Sequence, residues 1–488
     1  EKKKKKKGMG IPLSVYFKEE TNVVEDLEDS QRKALLELRR LVQASLARHE
    51  FTRPPADAPK EGPAVVEVEG EGGKEVAPPK QPEESSPAAR EEPAAATEEE
   101  EEEAVAVDED GAKTVEAIEE TVVPAAPATT PPAPGVEDEE APPPVSLWGV
   151  PLVGDERGDT VLLKFLRARD FKVGDALGML KDAVIWREEF GIEALLGEDL
   201  AVPELGRVVF MHGHDREGHP VCYNAYGELQ DRELYHKAFA DEERRRRFLR
   251  WRIQFLEKGI RELLDFTPAG ACSMVQVTDL KNSPGPGRRE LRQATNQALA
   301  LLQDNYPEFV AKQVFINVPW WYLAFNRMMS PFFTQRTKSK FVFAGPSRSS
   351  ETLFEYIAPE QVPVHYGGLS KKDDPDFSTS DAVTEFTIKP SNKHTVVIPA
   401  PEACLLVWEL RVLGWEVSYG AEFVPSAEDG YTVIVHKARK FSSADEAFVK
   451  NSFKVGDPGK VVLTVDNPTS KKKKLLYRWK ARKAAESV

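Results

Sequence analysis

Cysteine is scarce in this chain of 488 residues, and the three present, Cys222, Cys272 and Cys404, are far apart. Their spacing makes neither a disulfide framework nor a zinc pattern, which fits a reducing compartment. A long unbroken apolar run is also lacking. The most apolar long window, Val314 to Phe333, is interrupted by Asn317, Pro319, Asn326, Arg327 and Pro331, too often for a spanning helix. Any membrane contact is therefore expected to be peripheral. Lys2 to Lys7 are followed by no apolar stretch and no small-residue cleavage site, so this end does not read as a secretory signal. Signatures of catalysis are missing too. There is no nucleophile elbow and no zincin motif, and Gly285-Pro286-Gly287-Arg288-Arg289 lacks the Gly-Lys-Ser/Thr ending of a phosphate loop. No catalytic residue, metal or cofactor is expected, and the chain does not read as an enzyme.

Aromatic residues are absent from Pro54 to Pro144, which is built from Pro, Ala, Glu, Val and Gly. Such a segment has too little apolar surface to offset chain entropy and reads as a disordered acidic linker. Acidic residues outnumber basic ones by 81 to 66, which argues against an unselective nucleic-acid binder. The distribution is uneven. Acid crowds into the first third, including Glu98 to Glu103, whereas the C-terminal end carries Lys471, Lys472, Lys473 and Lys474, then Arg478, Lys480, Arg482 and Lys483.

Periodicity outlines the rest. Asp29-Ser30 can cap a helix near 30–48 whose Leu35, Leu38, Leu41, Val42 and Leu46 share a side; its length favours a solvated, marginal helix over a partner-binding one. Composition changes abruptly at Ser146-Leu147-Trp148-Gly149, after which two amphipathic helices are predicted, one from Asp159-Thr160 and one from about Asp175. Short apolar runs at Val208 to Met211, Val221 to Tyr226, Ser273 to Thr278, Val314 to Val318 and Lys340 to Ala344 read as strands. Glu242 to Leu264 and Arg288 to Asp304 read as helices, so a mainly parallel α/β sheet is expected. Beyond Ser370 to Ser380, seven or so short strands between Thr384 and Trp479 suggest an antiparallel sandwich. His212-Gly213-His214 with His219 invites a metal reading, but Asp215-Arg216-Glu217-Gly218 between two strand-like runs is ordinary hairpin chemistry. Arg244 to Arg247 open an amphipathic helix and read as a solvated basic face.

Several motifs carry a family resemblance. Trp148-Gly149-Val150-Pro151-Leu152, Asp155-Glu156-Arg157 and the run Leu162-Leu163-Lys164-Phe165-Leu166-Arg167-Ala168-Arg169-Asp170-Phe171 resemble the helical N-terminal part of CRAL-TRIO lipid-transfer proteins. Asp279-Leu280-Lys281, Asp304-Asn305-Tyr306-Pro307-Glu308 and Val362-Pro363-Val364-His365-Tyr366-Gly367-Gly368-Leu369 resemble the lipid-binding domain of that family. Asp466-Asn467-Pro468-Thr469-Ser470 and the four lysines after it resemble the end of a GOLD domain. An acidic N-terminal region, CRAL-TRIO and GOLD in this order resembles the plant patellins.

The resemblance implies an α/β CRAL-TRIO lipid-binding domain with a helical N-terminal subdomain, followed by an all-β GOLD sandwich, after a disordered acidic N-terminal third. The expected boundaries are 1–145, 146–200, 201–370 and 371–488. It further implies a hydrophobic pocket over the sheet, holding a phospholipid, most simply a phosphoinositide, and closed by a mobile gate. Trp320, Trp321, Leu323, Phe325, Met328, Met329, Phe332 and Phe333 stand where the family puts that gate; without the resemblance they read as an ordinary core helix. Exposing two acyl chains would cost on the order of 20 kcal/mol at about 0.8 kcal/mol per methylene, so exchange is expected only on a bilayer.

By resemblance, Arg169, Glu308, Thr337 and Lys340 hold the headgroup: Arg and Lys as charge-assisted donors to phosphate, Thr as a hydroxyl donor, Glu as acceptor from inositol. Asp170 stands where phosphatidylinositol binders often have a second basic residue. Met274 and Gln276 replace the small hydroxyl residues that serve phosphatidylcholine. Lys471 to Lys474, with Tyr477 and Trp479, are expected to form a basic edge that adsorbs to anionic leaflets at about 1 kcal/mol per basic residue. The same lysines also suit a solvated hairpin turn between the last two strands. The expected partners are phosphoinositide-containing membranes and proteins gripped by the GOLD domain, with no nucleic acid. The expected place is the cytoplasm, peripherally membrane-bound at the cell plate or plasma membrane during division, in membrane trafficking. The competing expectation is a protein-interaction scaffold with a structural, non-exchanging lipid.

Overall fold

The computed structural model describes residues 20–52, 145–200, 202–284, 288–319, 339–414, 416–442 and 448–483. Its first helix, α1 (Asp29–Ala47), starts from a capping box one residue before the expected cap: the Glu28 side chain accepts from the Gln31 backbone, and the Glu28 N–H donates to Gln31 Oε1 at 3.3 Å. The 3.6-residue period then gathers Ala34, Leu35, Leu38 and Val42 on one buried stripe. This stripe joins the same core as α2 (Glu156–Ala168) and α3 (Val173–Phe190). Arg39 pairs with Asp159 of α2, and Lys181 of α3 reaches Glu50 at 2.5 Å. The expectation of a solvated helix is corrected: tertiary burial supplies the stability that a helix of this length lacks alone. Upstream, the buried Arg167 of α2 holds Glu20 at 2.9 Å and donates to Asn22 Oδ1 at 2.6 Å.

After a two-residue hairpin, β1 (Ser146–Leu147) and β2 (Val150–Pro151), and the short α4 (Ile192–Gly197), five strands form one sheet in chain order. They are β3 (Val209–His214), β4 (Pro220–Ala225), β5 (Met274–Asp279), β6 (Val310–Ile316) and β7 (Phe341–Phe343). The pair β3–β4 is an antiparallel hairpin, and β4 to β7 run parallel, as the intervening helices α5 (Arg232–Phe239), α6 (Glu242–Leu263) and α7 (Arg289–Asn305) require. Strand alternation divides the sheet into two faces. Cys222 and Met274 pack with α6, whereas Tyr223, Val275, Val277, Val314 and Ile316 pack with α8 (Ser349–Tyr356).

The remaining strands are β8 (Thr384–Ile388), β9 (Asn392–Ala400), β10 (Cys404–Leu413), β11 (Val417–Pro425), β12 (Val433–Phe441), β13 (Val449–Val455), β14 (Gly459–Asn467) and β15 (Lys473–Lys483). They make two antiparallel sheets, ordered β13-β10-β15-β8 and β12-β11-β14-β9, with Trp408 donating to the Tyr419 hydroxyl at 2.9 Å between them. The sandwich grips the α/β domain through buried arginines. Arg411 donates to Val364 O at 2.6 Å and Gly368 O at 3.1 Å, and Arg478 to Leu369 O at 2.8 Å. Gly367 and Gly368 are demanded by the turn that carries these carbonyls: Gly367 has φ +103°, and a Cβ on Gly368 would stand 2.0 Å from Val362 O. Leu476 of β15 completes the core beneath α8.

Two outcomes follow from this packing. Leu38→Ala should lower unfolding stability by about 2–5 kcal/mol, whereas Leu36→Ala, at a position 52% exposed, should change it by less than about 0.5 kcal/mol; chemical denaturation measures both. Burial holds His212, which shares a 2.8 Å contact with Ser370 Oγ, below its ordinary value of 6.5. The unfolded chain therefore binds a proton there before the folded chain does as pH falls. Stability should be full above that value and drain as pH falls below it. Thermal melts of a His212→Asn variant should show a flatter dependence.

Candidate functional site

The Glu308 turn is fixed from behind. Glu257 of α6 is fully buried and accepts from Arg187 of α3 at 2.6 and 2.8 Å and from the Tyr306 hydroxyl at 2.7 Å. Burial, with Glu257 adjacent, keeps the Tyr306 phenol far above its ordinary pKa and therefore a donor. Lys164 of α2 donates to Glu308 O at 2.8 Å, and Glu308 itself sits at φ +55°, a conformation that a non-glycine residue keeps only when its surroundings impose it. Its carboxylate is thereby delivered to Lys340, with Nζ to Oε2 at 2.6 Å. The pair lies at the amino ends of two adjacent parallel strands, β6 and β7, with side chains only 21% and 15% exposed.

Beside it the sheet presents an aromatic ledge. Phe315 stacks on Phe343 at 4.9 Å and meets Phe341 edge-on at 6.0 Å, and all three remain partly exposed. Across the same sheet Asn224 donates to Gln276 Oε1 and Gln313 to Thr278 Oγ1, both at 2.9 Å. A half-covered aromatic surface flanked by a desolvated ion pair can hold a molecule with an apolar body and a polar, anionic end.

Of the four residues that the resemblance assigns to a headgroup, the structure brings Glu308 and Lys340 together. Arg169 donates to Ala168 O at 3.2 Å and lines a cavity of about 490 Å³ with Asp175, Asp182 and Asp304. Among the described residues no hydrogen bond joins it to the pair. Thr337 and the expected gate, Trp320, Trp321, Leu323, Phe325, Met328, Met329, Phe332 and Phe333, lie outside the described residues. A larger cavity, about 1,120 Å³, opens elsewhere, at the carboxyl ends of the strands among Phe210, Asp279, Asn317, Ser349, His365 and Tyr366. Size alone would favour it, but the ion pair and the ledge are where an anionic and an apolar feature meet.

The basic edge needs correction. Lys473 opens β15, and strand alternation turns it inward, 6% exposed, to donate to Gly414 O at 2.9 Å. Lys474 pairs with Glu385 at 2.8 Å. Lys471 and Lys472 alone of the four are exposed. Their loop is a crossover between sheets and not a hairpin, pinned by the buried Asn467 amide on Lys389 O and Lys471 O at 3.0 and 2.9 Å. At the β3–β4 turn, Asp215, Glu217 and His219 offer ligand atoms within 4.8 Å, but Asp215 is engaged by the turn: its Oδ1 accepts from the backbone of Glu217 and His219, and its Oδ2 contacts His219 Nδ1. Sequence reasoning missed the Glu257 network and the joint. Glu409 and Arg411, two charges in the apolar run of β10, were the available signal.

Residues 205–368 match the CRAL/TRIO domain, residues 128–182 the CRAL/TRIO N-terminal domain, and residues 389–473 the patellin-1-like C-terminal GOLD domain. The chain is 63% identical over 341 residues to Patellin-3 of Arabidopsis thaliana, covering 69% of each protein. The chain belongs to the patellin family. It is also 62% identical to Patellin-5 of the same plant over 70% of its own length, spanning about half (51%) of that protein. Phosphatidylinositol transfer protein SFH5 of Meyerozyma guilliermondii is 30% identical over 49% of this chain and 72% of its own. In this patellin the CRAL/TRIO match ends at Gly368, within the arginine-clamped joint, and α1 lies before the matched N-terminal domain.

The lysine assignments predict a split. Lys473→Ala should strand the Gly414 carbonyl and destabilise the sandwich by about 1–3 kcal/mol, whereas a Lys471→Ala, Lys472→Ala variant should melt with the wild type; differential scanning calorimetry distinguishes them.

Proposed function

We propose that this chain is a non-enzymatic phospholipid carrier and adaptor that holds a phosphoinositide against the β5–β7 face and works reversibly at membrane surfaces. The observation that carries this reading is the junction of the Phe315, Phe341 and Phe343 ledge with the desolvated Glu308–Lys340 pair. Lys340 would donate to a phosphate on the inositol ring while Glu308 accepts from inositol hydroxyls, and in so water-poor a place each contact is stronger than at the surface. Patellin membership and the likeness to a protein named for phosphatidylinositol transfer support the same chemistry. Arg169 and Thr337 would complete the headgroup shell, and residues 320–333 would cover the acyl chains. The sandwich would contact proteins or, through Lys471 and Lys472, an anionic leaflet. The cellular setting we assign is peripheral attachment from the cytoplasm to the cell plate or plasma membrane during division, in membrane trafficking.

Vesicles doped with each phosphoinositide at fixed ionic strength provide the test. The wild type should prefer phosphoinositides, and an Arg169→Ala, Lys340→Ala variant should lose that preference by about ten- to a hundredfold while keeping weak anionic adsorption. Equal binding by the two would move recognition to the sandwich. A co-purified lipid that never exchanges with vesicles would favour the scaffold reading.

A further inference from the structure

The face that holds the ledge also carries a buried cation with no assigned partner. Arg252 of α6 is 9% exposed. Its Nη2 reaches Asn224 Oδ1 only at 3.4 Å, and its Nη1 is buried without a hydrogen-bond partner. The guanidinium lies 5.6 Å from the Phe255 ring and near the Cys222 thiol. Among the described residues no carboxylate pairs with it.

The fold satisfies comparable buried arginines with a carboxylate or, for Arg411, with short bonds to Val364 O and Gly368 O at 2.6 and 3.1 Å. Arg187 has Glu257 at 2.6 Å, Arg478 has Glu409 at 2.6 Å and Arg167 has Glu20 at 2.9 Å. A guanidinium withdrawn from water without an anion is strongly disfavoured, and an apolar residue of similar size would serve packing better. Arg252 stands at the edge of a polar row across the sheet. Asn224 donates to Gln276, and among the described residues Gln276 Nε2 meets only the weak acceptor Met274 Sδ at 3.5 Å. Two underused donors thus face the strands whose next neighbours carry the aromatic ledge.

We infer that Arg252 and the Gln276 amide form an anion-accepting subsite on this face, separate from the Glu308–Lys340 pair, that takes the phosphate of a glycerophospholipid. The inference rests on the reading that this face holds a lipid. A planar guanidinium matches phosphate oxygens two at a time, so the subsite selects phosphate-bearing lipids whatever their headgroup, while the ion pair selects inositol.

The test uses delipidated full-length protein equilibrated with neutral vesicles containing phosphatidic acid or diacylglycerol of the same acyl chains, with bound lipid quantified by mass spectrometry. Wild type should load phosphatidic acid at least about tenfold over diacylglycerol. Arg252→Met should lose that ratio yet still load diacylglycerol, keep its preference for phosphatidylinositol over phosphatidic acid, and melt lipid-free at or above the wild-type temperature. Lys340→Ala should show the reverse pattern. If Arg252→Met does not fold, Arg252→Gln carries the same readout. An unchanged ratio in the Arg252 variants overturns the subsite and leaves the lipid-carrier reading standing. Loading of neither lipid by wild type overturns both. Inorganic phosphate that raises the wild-type melting temperature through Arg252, with no preference for phosphatidic acid, assigns the subsite to free phosphate and overturns the lipid assignment.

Discussion

A single carboxylate organises the α/β half of this molecule. Glu257 is inaccessible to water, and it is stabilised there by two hydrogen bonds from Arg187 and one from Tyr306. Those donors come from α3 and from the turn after α7, so one charge on α6 ties the helical subdomain to the turn that carries Glu308. Removing Arg187 would strip this buried carboxylate of its principal counter-charge, which costs far more than the pair contributes over an apolar equivalent. Such a network favours one arrangement over near alternatives, and here that arrangement sets the left-handed conformation of Glu308 and the position of Lys340.

The same device recurs at the joint with the sandwich. Arg411 and Arg478 direct buried guanidiniums at carbonyls of the segment Val364 to Leu369. Burial draws Arg411 down to about 10, still leaving it charged at neutral pH. The two glycines of that segment let its chain turn tightly against Val362 and Ser350, and Leu476 of the sandwich enters the core beneath α8. The two domains are thereby coupled by directional bonds as well as apolar contact, and a load on the sandwich would be felt beneath α8.

The face of the sheet that carries the aromatic ledge is built the opposite way. Phe315, Phe341 and Phe343 stay partly exposed, and Arg252 is buried with no carboxylate paired to it among the described residues. Both features weaken the isolated fold and are what a surface shaped for an amphipathic, anionic molecule would retain.

Sequence by itself determined the elements and their class. Alternation and 3.6-residue periodicity depend on local geometry, so the strands of the α/β sheet, α6, α7 and seven of the eight sandwich strands were legible within a few residues; Val449–Val455 was missed because its apolar positions are interrupted by Lys450, Asn451 and Lys454. Motifs such as Tyr306-Pro307-Glu308 and Val362 to Leu369 were visible as strings, but their roles as a network donor, a strained turn and a clamped joint were not. Only the tertiary structure decided that α1 is a core helix, that Lys473 and Lys474 are engaged internally, that Glu308 and Lys340 meet as a pair, and that Arg252 pairs with no carboxylate among the described residues. The reason is physical: periodicity is written into a few consecutive residues, whereas the partner of a charge is set by chain segments that meet only on folding.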